Sequence, residues 1–120
     1  MYRCLLLCYS GVAPSSLLLK FIERTGCLEL SWVGTYAELA PSAPPAAGWD
    51  LVFATLPAPD HPLLDSYWRV LQGQKALILS SLYPEKMFVR EGWRPVAFLN
   101  EPFSFEQFQE ALQRYLDQRP

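Results

Sequence analysis

Residues 50–59 read DLVFATLPAP, and this stretch decides how the rest of the chain is interpreted. Residues 51–56 form a continuous, mostly apolar run, which is typical of a strand covered on both faces of a sheet. Residues 57–60 contain two prolines and an aspartate, and they predict a turn. Because strands buried on both faces belong to parallel sheets layered by helices, the stretch predicts one strand of an α/β fold.

Apolar runs and amphipathic stretches alternate along the whole chain. Strands are predicted at residues 2–8, 28–33, 50–56, 75–80 and 95–99. Helices are predicted from Pro14 to a left-handed cap at Gly26, from the turn after the third strand to Gly73, over residues 83–91, and from a capping Ser104 onward.

The prolines among residues 41–45 limit the second helix to one or two turns before an irregular loop. Since each right-handed crossover places a helix on a sheet face, the alternation predicts a three-layer, flavodoxin-like α/β sandwich. Its sheet is expected to have five parallel strands in the order 2-1-3-4-5.

Length and composition narrow the possible functions. The 120 residues fit one domain, residues 1–120, and 51% are hydrophobic against 18% charged. A net charge of -2 argues against direct nucleic-acid binding by this domain. The apolar runs are too short to span a membrane, and we see no signal peptide, so a cytoplasmic protein is expected. Three cysteines without a CxxC spacing predict reduced, packed thiols rather than a metal site.

Ligands of open α/β sheets bind at the carboxyl ends of the strands, beside the point where the strand order reverses. In this chain the first strand ends at Cys8 and Tyr9, and the third ends at Thr55. The fourth strand leads into Ser80 and Ser81, and the fifth is followed by Asn100, Glu101 and Pro102. We therefore expect a candidate site at this edge of the sheet.

The residues around these strand ends resemble the receiver domain of two-component response regulators, particularly the receivers that precede LytTR-type DNA-binding domains. Residues 50–59 resemble the family pattern DLVFLDIxMP at the third strand. Residues 76–85, ALILSSLYPE, resemble the fourth strand and its exit, and residues 98–105, FLNEPFSF, resemble the region where the family has a Lys-Pro pair. The resemblance extends over almost the whole chain.

The resemblance also implies where the family's phosphorylation chemistry would lie. In working receivers an acidic pair and a phosphoacceptor Asp hold a magnesium ion, while a hydroxyl and a Lys contact the phosphoryl group. Here the acidic pair falls on Cys8 and Tyr9, the acceptor on Thr55, the hydroxyl on Ser81 and the Lys on Glu101. Ser81 alone keeps the required group, so the resemblance implies a degenerate pocket, a pseudo-receiver.

Elementary chemistry gives the consequence of these replacements. Magnesium prefers oxygen ligands that include carboxylates, and Cys, Tyr and Thr side chains supply none at neutral pH. Phosphoryl transfer without the metal lacks its main electrostatic stabilisation, and a Glu101 carboxylate repels an incoming anion. We expect no metal, no cofactor, no aspartyl phosphate and no catalytic residue, and hence a non-enzymatic signalling or interaction domain.

Receivers communicate through the face formed by their fourth helix, fifth strand and fifth helix, so the resemblance implies that a protein partner or a second copy docks there. The candidate contact residues are Met87, Phe88, Arg90, Trp93, Arg94, Gln107 and Arg114. The types Trp and Arg often anchor interfaces. The alternative is that Phe88 and Trp93 are ordinary packing residues.

Further alternatives for function remain open from the sequence. The altered crevice could serve an enzyme with Cys8 as nucleophile or Glu101 as base, or it could bind a small molecule. An activated thiolate needs a cationic or basic partner, and the lone His61 follows the third strand's turn. Glu101 could instead have a structural role, paired with a Lys or Arg or with the Thr55 hydroxyl. The domain could also be one half of a longer transcriptional regulator, whose DNA contacts would then come from another part.

Overall fold

The computed structural model describes residues 2–8, 16–35, 50–56, 71, 76–88 and 95–118. The strands are β1 (Tyr2–Cys8), β2 (Leu28–Thr35), β3 (Leu51–Thr55), β4 (Leu77–Ser81) and β5 (Ala97–Asn100). The helices are α1 (Ser16–Thr25), a short 3-10 helix (Glu85–Phe88) and α2 (Phe105–Gln118). The helices predicted between the second and third strands and between the third and fourth fall largely or wholly outside the described residues. No helix in these ranges is long and apolar enough to cross a membrane.

All four strand pairings are parallel, and the strand order is β2-β1-β3-β4-β5. The predicted fold class and strand order are therefore confirmed. β2 continues two residues beyond its predicted end, and β4 and β5 each continue one residue further. The strands carry the site at their carboxyl ends, as expected for an open parallel sheet.

Both faces of the sheet are covered, as the apolar runs predicted. Successive side chains of a strand point to opposite faces. In β1, Cys4 and Leu6 join a cluster with α1 and α2, whereas Leu5 and Leu7 join a second cluster on the other face, which includes Phe88. All four of these β1 side chains are fully buried.

Aromatic side chains fasten both helices to the sheet. Phe108 of α2 is fully buried, and its ring stacks on Phe53 of β3 with centroids 5.6 Å apart. Phe21 of α1 contacts the rings of Phe105 and Phe108 at 5.2 and 5.7 Å. The Arg24 guanidinium lies 4.2 Å from the Phe105 ring centroid, which adds a cation–π contact between α1 and α2.

Two helix boundaries agree with the sequence signals. Gly26 follows α1 with a φ of 72°, a conformation that suits glycine at a helix C-terminus. At the start of α2, the Ser104 hydroxyl accepts the Gln107 backbone N–H at 3.1 Å, and the Gln107 side-chain oxygen accepts the Ser104 N–H at 2.8 Å. This reciprocal pair is a capping box.

The prediction of a helix over residues 83–91 is wrong for its first two residues. The described part of this segment is the 3-10 helix Glu85–Phe88, in which the Met87 N–H bonds to the Pro84 carbonyl at 3.1 Å. Tyr83 precedes a proline, which disfavours helical backbone there. Its N–H is instead donated to the Ser81 hydroxyl at 3.0 Å. Residues 89–91 lie outside the described residues.

A β-bulge redirects the side chains of β2. Cys4 pairs with Leu30 but Leu5 pairs with Trp32, so Ser31 is the extra residue. Leu30 consequently packs with the cluster that holds α1 and α2, and Trp32 packs with the cluster on the opposite face. The Trp32 indole then covers Gly34, where it occupies the space that a Cβ atom would need.

We expect Gly34→Ala to destabilise the fold by about 1–3 kcal/mol, because the new methyl group must displace the Trp32 ring. Urea unfolding measures the loss. In a Trp32→Leu background the same substitution should lose most of its effect, since the smaller side chain leaves room. An equal loss in both backgrounds would contradict the proposed clash.

Candidate functional site

The carboxyl ends of the strands lie level because the strands run in parallel register. Leu7 pairs with Ala54, Thr55 with Ser80, and Ser81 with Asn100. Backbone hydrogen bonds continue past the strand ends, from Leu56 N–H to the Ser80 carbonyl at 2.9 Å and from Glu101 N–H to the Ser81 carbonyl at 2.8 Å.

The site residues Cys8, Thr55, Ser81 and Glu101 therefore share one edge of the sheet. Tyr9 lies outside the described residues. The structure thus places four of the five predicted pocket residues at one edge of the sheet.

Cys8 and Thr55 occupy the ends of two neighbouring strands. Cys8 is 2% exposed and belongs to the hydrophobic cluster that contacts α1 and α2. The half-buried Thr55 donates its hydroxyl to the Leu7 carbonyl of β1 at 3.3 Å. The hydroxyl at the acceptor position thus ties β3 to the adjacent strand.

Ser81 and Asn100 together hold the backbone that leaves β4. The buried Ser81 hydroxyl accepts the Tyr83 N–H at 3.0 Å. The Asn100 side-chain nitrogen donates to the Ser81 carbonyl at 3.0 Å and to the Tyr83 carbonyl at 3.1 Å. Sequence reasoning placed Asn100 at this edge but assigned it no role. An amide at the last position of a strand was the available signal, because amides can bridge backbone groups.

Ser80 is a buried polar residue that sequence reasoning placed at this edge without assigning it a role. It is 1% exposed, and its hydroxyl has no hydrogen-bond partner within the described part of the chain. Strand alternation turns it to the same face as Ile78, which belongs to the cluster around α1 and α2. The Ser80 hydroxyl thus lies beside Thr55 on a largely apolar face.

Glu101 contributes a carboxylate where a receiver resemblance would require a lysine. The residue is half-buried, and the peptide bond to Pro102 is cis. Asp50 lies at the opposite, amino end of β3, where its carboxylate accepts the Arg3 N–H at 3.0 Å. Within the residues that the structure describes, no group of three His, Cys, Asp or Glu side chains could hold a metal ion.

Among the described residues of the predicted interaction face, some side chains are exposed to a partner and others are buried or already hydrogen-bonded. Phe88 is 9% exposed and its ring lies 5.9 Å from that of Phe98, so it packs in the core, which was the alternative interpretation. Met87 is 52% exposed. Gln107 and Arg114 are exposed on α2, although the Gln107 side chain is engaged in the capping box. Arg90, Trp93 and Arg94 lie outside the described residues.

Two exposed apolar residues beside this face were missed by sequence reasoning. Leu82 is 71% exposed and Tyr83 is 39% exposed, directly after β4. The available signal was an apolar pair between a strand end and a proline, a position where the chain turns at the surface.

Solved structures with the same architecture come from several bacteria. The receiver domain of HemR from Leptospira biflexa is 20% identical, with 100% of this chain and 98% of that one covered and a TM-score of 0.69. This chain adopts the receiver-domain fold. At this level of identity the likeness establishes the fold alone.

Two further structures with a similar architecture carry different descriptions. A Burkholderia thailandensis protein described as the pilus assembly protein cpaE is 18% identical, with 98% and 100% of the two chains covered and a TM-score of 0.72. The receiver domain of the Pseudomonas aeruginosa sensor histidine kinase PA1611, which holds magnesium in its active-site cleft, is 17% identical, with 97% and 98% covered and a TM-score of 0.62. No family model and no curated protein sequence matches the chain.

We expect Asn100→Ala to loosen the segment after β4, because two backbone carbonyls lose their donor. Hydrogen exchange of the Tyr83 amide should accelerate, as measured by NMR. Asn100→Asp, which keeps the size but removes the donor, should behave alike. Unchanged exchange in both variants would show that the amide does not hold this segment.

Thiol reactivity offers a test of the core around the site. Burial, and secondarily the nearby Cys27 thiol, raises the pKa of Cys4 from 9.0 to about 12. At pH 8, iodoacetamide should label the half-buried Cys27 before Cys4, as followed by peptide mass mapping. In urea, Cys4 should label readily. Equal labelling rates of Cys4 and Cys27 in the folded protein would contradict the burial of Cys4.

The raised pKa of Cys4 also predicts that the free energy of unfolding depends on pH. Because the folded-state pKa of Cys4 lies above its unfolded value, the protonated thiol favours the folded state. This contribution is fully present below pH 9.0 and declines as the pH rises toward 12. Cys4→Ala should therefore flatten the fall in unfolding free energy over this range.

Proposed function

We propose that this chain is a receiver-like signalling domain that works without phosphorylation, in a two-component-type regulator. The observation that supports this proposal most directly is the composition of the carboxyl edge of the sheet. Cys8, Thr55 and Glu101 lie at or directly after the strand ends there. The receiver fold supports the signalling role. The side chains at the edge support independence from phosphate.

The edge lacks the chemistry of a magnesium site among its described residues. Mg²⁺ keeps several waters and is usually bound through one or two carboxylates together with phosphate oxygens. Cys8 presents a buried thiol, Thr55 a hydroxyl already donated to Leu7, and Glu101 the one carboxylate directly after a described strand end. Glu101 follows β5, while the ends of β1 and β3 offer a thiol and a hydroxyl in place of carboxylates, so these residues make a poor site for this ion.

The acceptor position argues against phosphoryl transfer as well. An alcohol at Thr55 needs a base to become nucleophilic, and its proton is directed at a backbone carbonyl. Glu101 also lies next to Ser81 through its backbone N–H, at the position where the resemblance would require a lysine, so a phosphoryl group near Ser81 finds a carboxylate residue there in place of a cation. Both effects oppose charge build-up at the site.

The conformation after β4 is set by bonds within the chain. The Ser81 hydroxyl accepts Tyr83 N–H, and Asn100 bridges two carbonyls. We propose that this internally held surface, rather than a phosphoryl group, defines the state that a protein partner reads. A LytTR-type output domain belongs to the same proposal and rests on the sequence resemblance, and a cytoplasmic location is proposed with it.

An enzyme built on Cys8 is the less favoured function. A nucleophilic thiolate must reach substrate, and Cys8 is 2% exposed inside an apolar cluster.

We expect no phosphoryl adduct when the protein is incubated with acetyl phosphate and magnesium and weighed by intact mass spectrometry. Beryllofluoride with magnesium should likewise leave the tryptophan emission unchanged. The PA1611 receiver, which holds magnesium in its cleft, serves as the positive control. A saturable response or a mass gain of one phosphoryl group would overturn the proposed function.

The matched variant is Thr55→Asp, which restores the acceptor without restoring the cation ligands. We expect it to remain unmodified by acetyl phosphate, because the carboxylate still lacks a metal ion to neutralise developing charge. Efficient modification of this variant would mean that the acceptor, and not the metal site, is what the native chain is missing.

A further inference from the structure

Exposed apolar side chains concentrate in one short segment after β4. We define the β4-exit patch as Leu82, Tyr83, Glu85, Lys86 and Met87. Leu82, Tyr83 and Met87 are 71%, 39% and 52% exposed, and among the described residues the remaining exposed large hydrophobic is Val33 on the far edge strand β2. Burial of apolar surface is favourable by roughly 25 cal/mol per Å², so a contact that covers these side chains is favoured.

The patch is ordered before any partner arrives. Asn100 bonds to the Ser81 and Tyr83 carbonyls, and Ser81 accepts the Tyr83 N–H. The 3-10 bond from Met87 N–H to the Pro84 carbonyl fixes the following turn. Because the backbone is already held, less conformational entropy is lost when the patch is covered.

The charges of the patch indicate which partner suits it. Glu85 and Lys86 are adjacent and both exposed, so the patch carries one charge of each sign. A strongly acidic or basic partner would gain from one charge and lose from the other. A second copy related by a two-fold axis is different, because in such an interface residue i meets j and j meets i. Glu85 of one copy can then face Lys86 of the other, twice.

We infer that the β4-exit patch is a self-association surface, where two copies of this chain meet about a two-fold axis. The inference deepens the proposed function by naming the partner at the internally held surface. Three side chains provide a few hundred Å² at most, below the roughly 800 Å² per partner of stable interfaces. The dimer is therefore weak and depends on concentration.

Sedimentation velocity over roughly 1 μM to 1 mM protein tests the inference, since weak contacts of this size fall within that range. The native chain should shift toward a dimer as its concentration rises. Glu85→Lys and Lys86→Glu should each weaken the dimer about tenfold, because each replaces two attractions by two repulsions. Leu82→Ser should weaken it through lost apolar contact.

The decisive measurement mixes the two charge variants. An equimolar mixture of Glu85→Lys and Lys86→Glu chains should form a heterodimer of near-native affinity, since opposite charges face each other again. Misfolding of either variant cannot produce this rescue. Glu29→Lys, an exposed charge reversal on β2 at the other edge of the sheet, is the matched control and should leave the dimer unchanged.

The outcomes separate this inference from the proposed function. A monomer at every concentration, or a dimer unaffected by the variants and not rescued in the mixture, would overturn the self-association surface. The measurement is repeated with magnesium and beryllofluoride. A dimer that forms only with these additions would overturn phosphorylation independence while supporting the surface, and a dimer insensitive to them supports both.

Discussion

The parallel hydrogen-bonded register of β1, β3, β4 and β5 is the constraint on which the rest of the molecule depends. Neighbouring strands that run in the same direction end at the same edge, so residues far apart in sequence become neighbours there. Buried apolar side chains on both faces hold this register, because a slip by one residue would turn each strand's core side chains to the wrong face. The stack of Phe108 on Phe53 ties α2 to the same sheet. The geometry of the edge is thus set by the core.

The carboxyl edge of the sheet shows that the fold does not depend on the chemistry of its strand-end side chains. The register brings Thr55 beside Ser80, and the backbone bond from Glu101 brings that residue to Ser81, whatever their side chains contain. Folding is satisfied by apolar packing and backbone pairing, and neither requires carboxylates at the strand ends. Metal binding and phosphoryl transfer do require them. A chain can therefore keep the receiver architecture while its edge takes on a different role.

The segment after β4 lies directly beside this edge. Its backbone is held by Ser81 and Asn100, while its apolar side chains, Leu82 foremost, face outward. A rigid backbone with exposed apolar groups is unfavourable for an isolated domain and favourable for recognition, since the ordering has already taken place. The hydrogen bonds of Ser81 and Asn100 thus connect the site at the sheet edge to the apolar surface beside it.

The sequence by itself determined the alternation of strands and helices, the left-handed residue Gly26 and the capping Ser104, because periodicity, glycine conformation and cap chemistry are local properties. The strand order followed from that alternation only through the general rules for crossovers in α/β folds. The sequence also predicted which residues share the carboxyl edge. The tertiary structure alone decided that Phe88 is buried against Phe98 and that Asn100 holds the segment after β4. The bulge at Ser31, which turns Trp32 to the other face, was equally invisible. Each of these depends on a contact between segments distant in the chain, and no local pattern encodes such a contact.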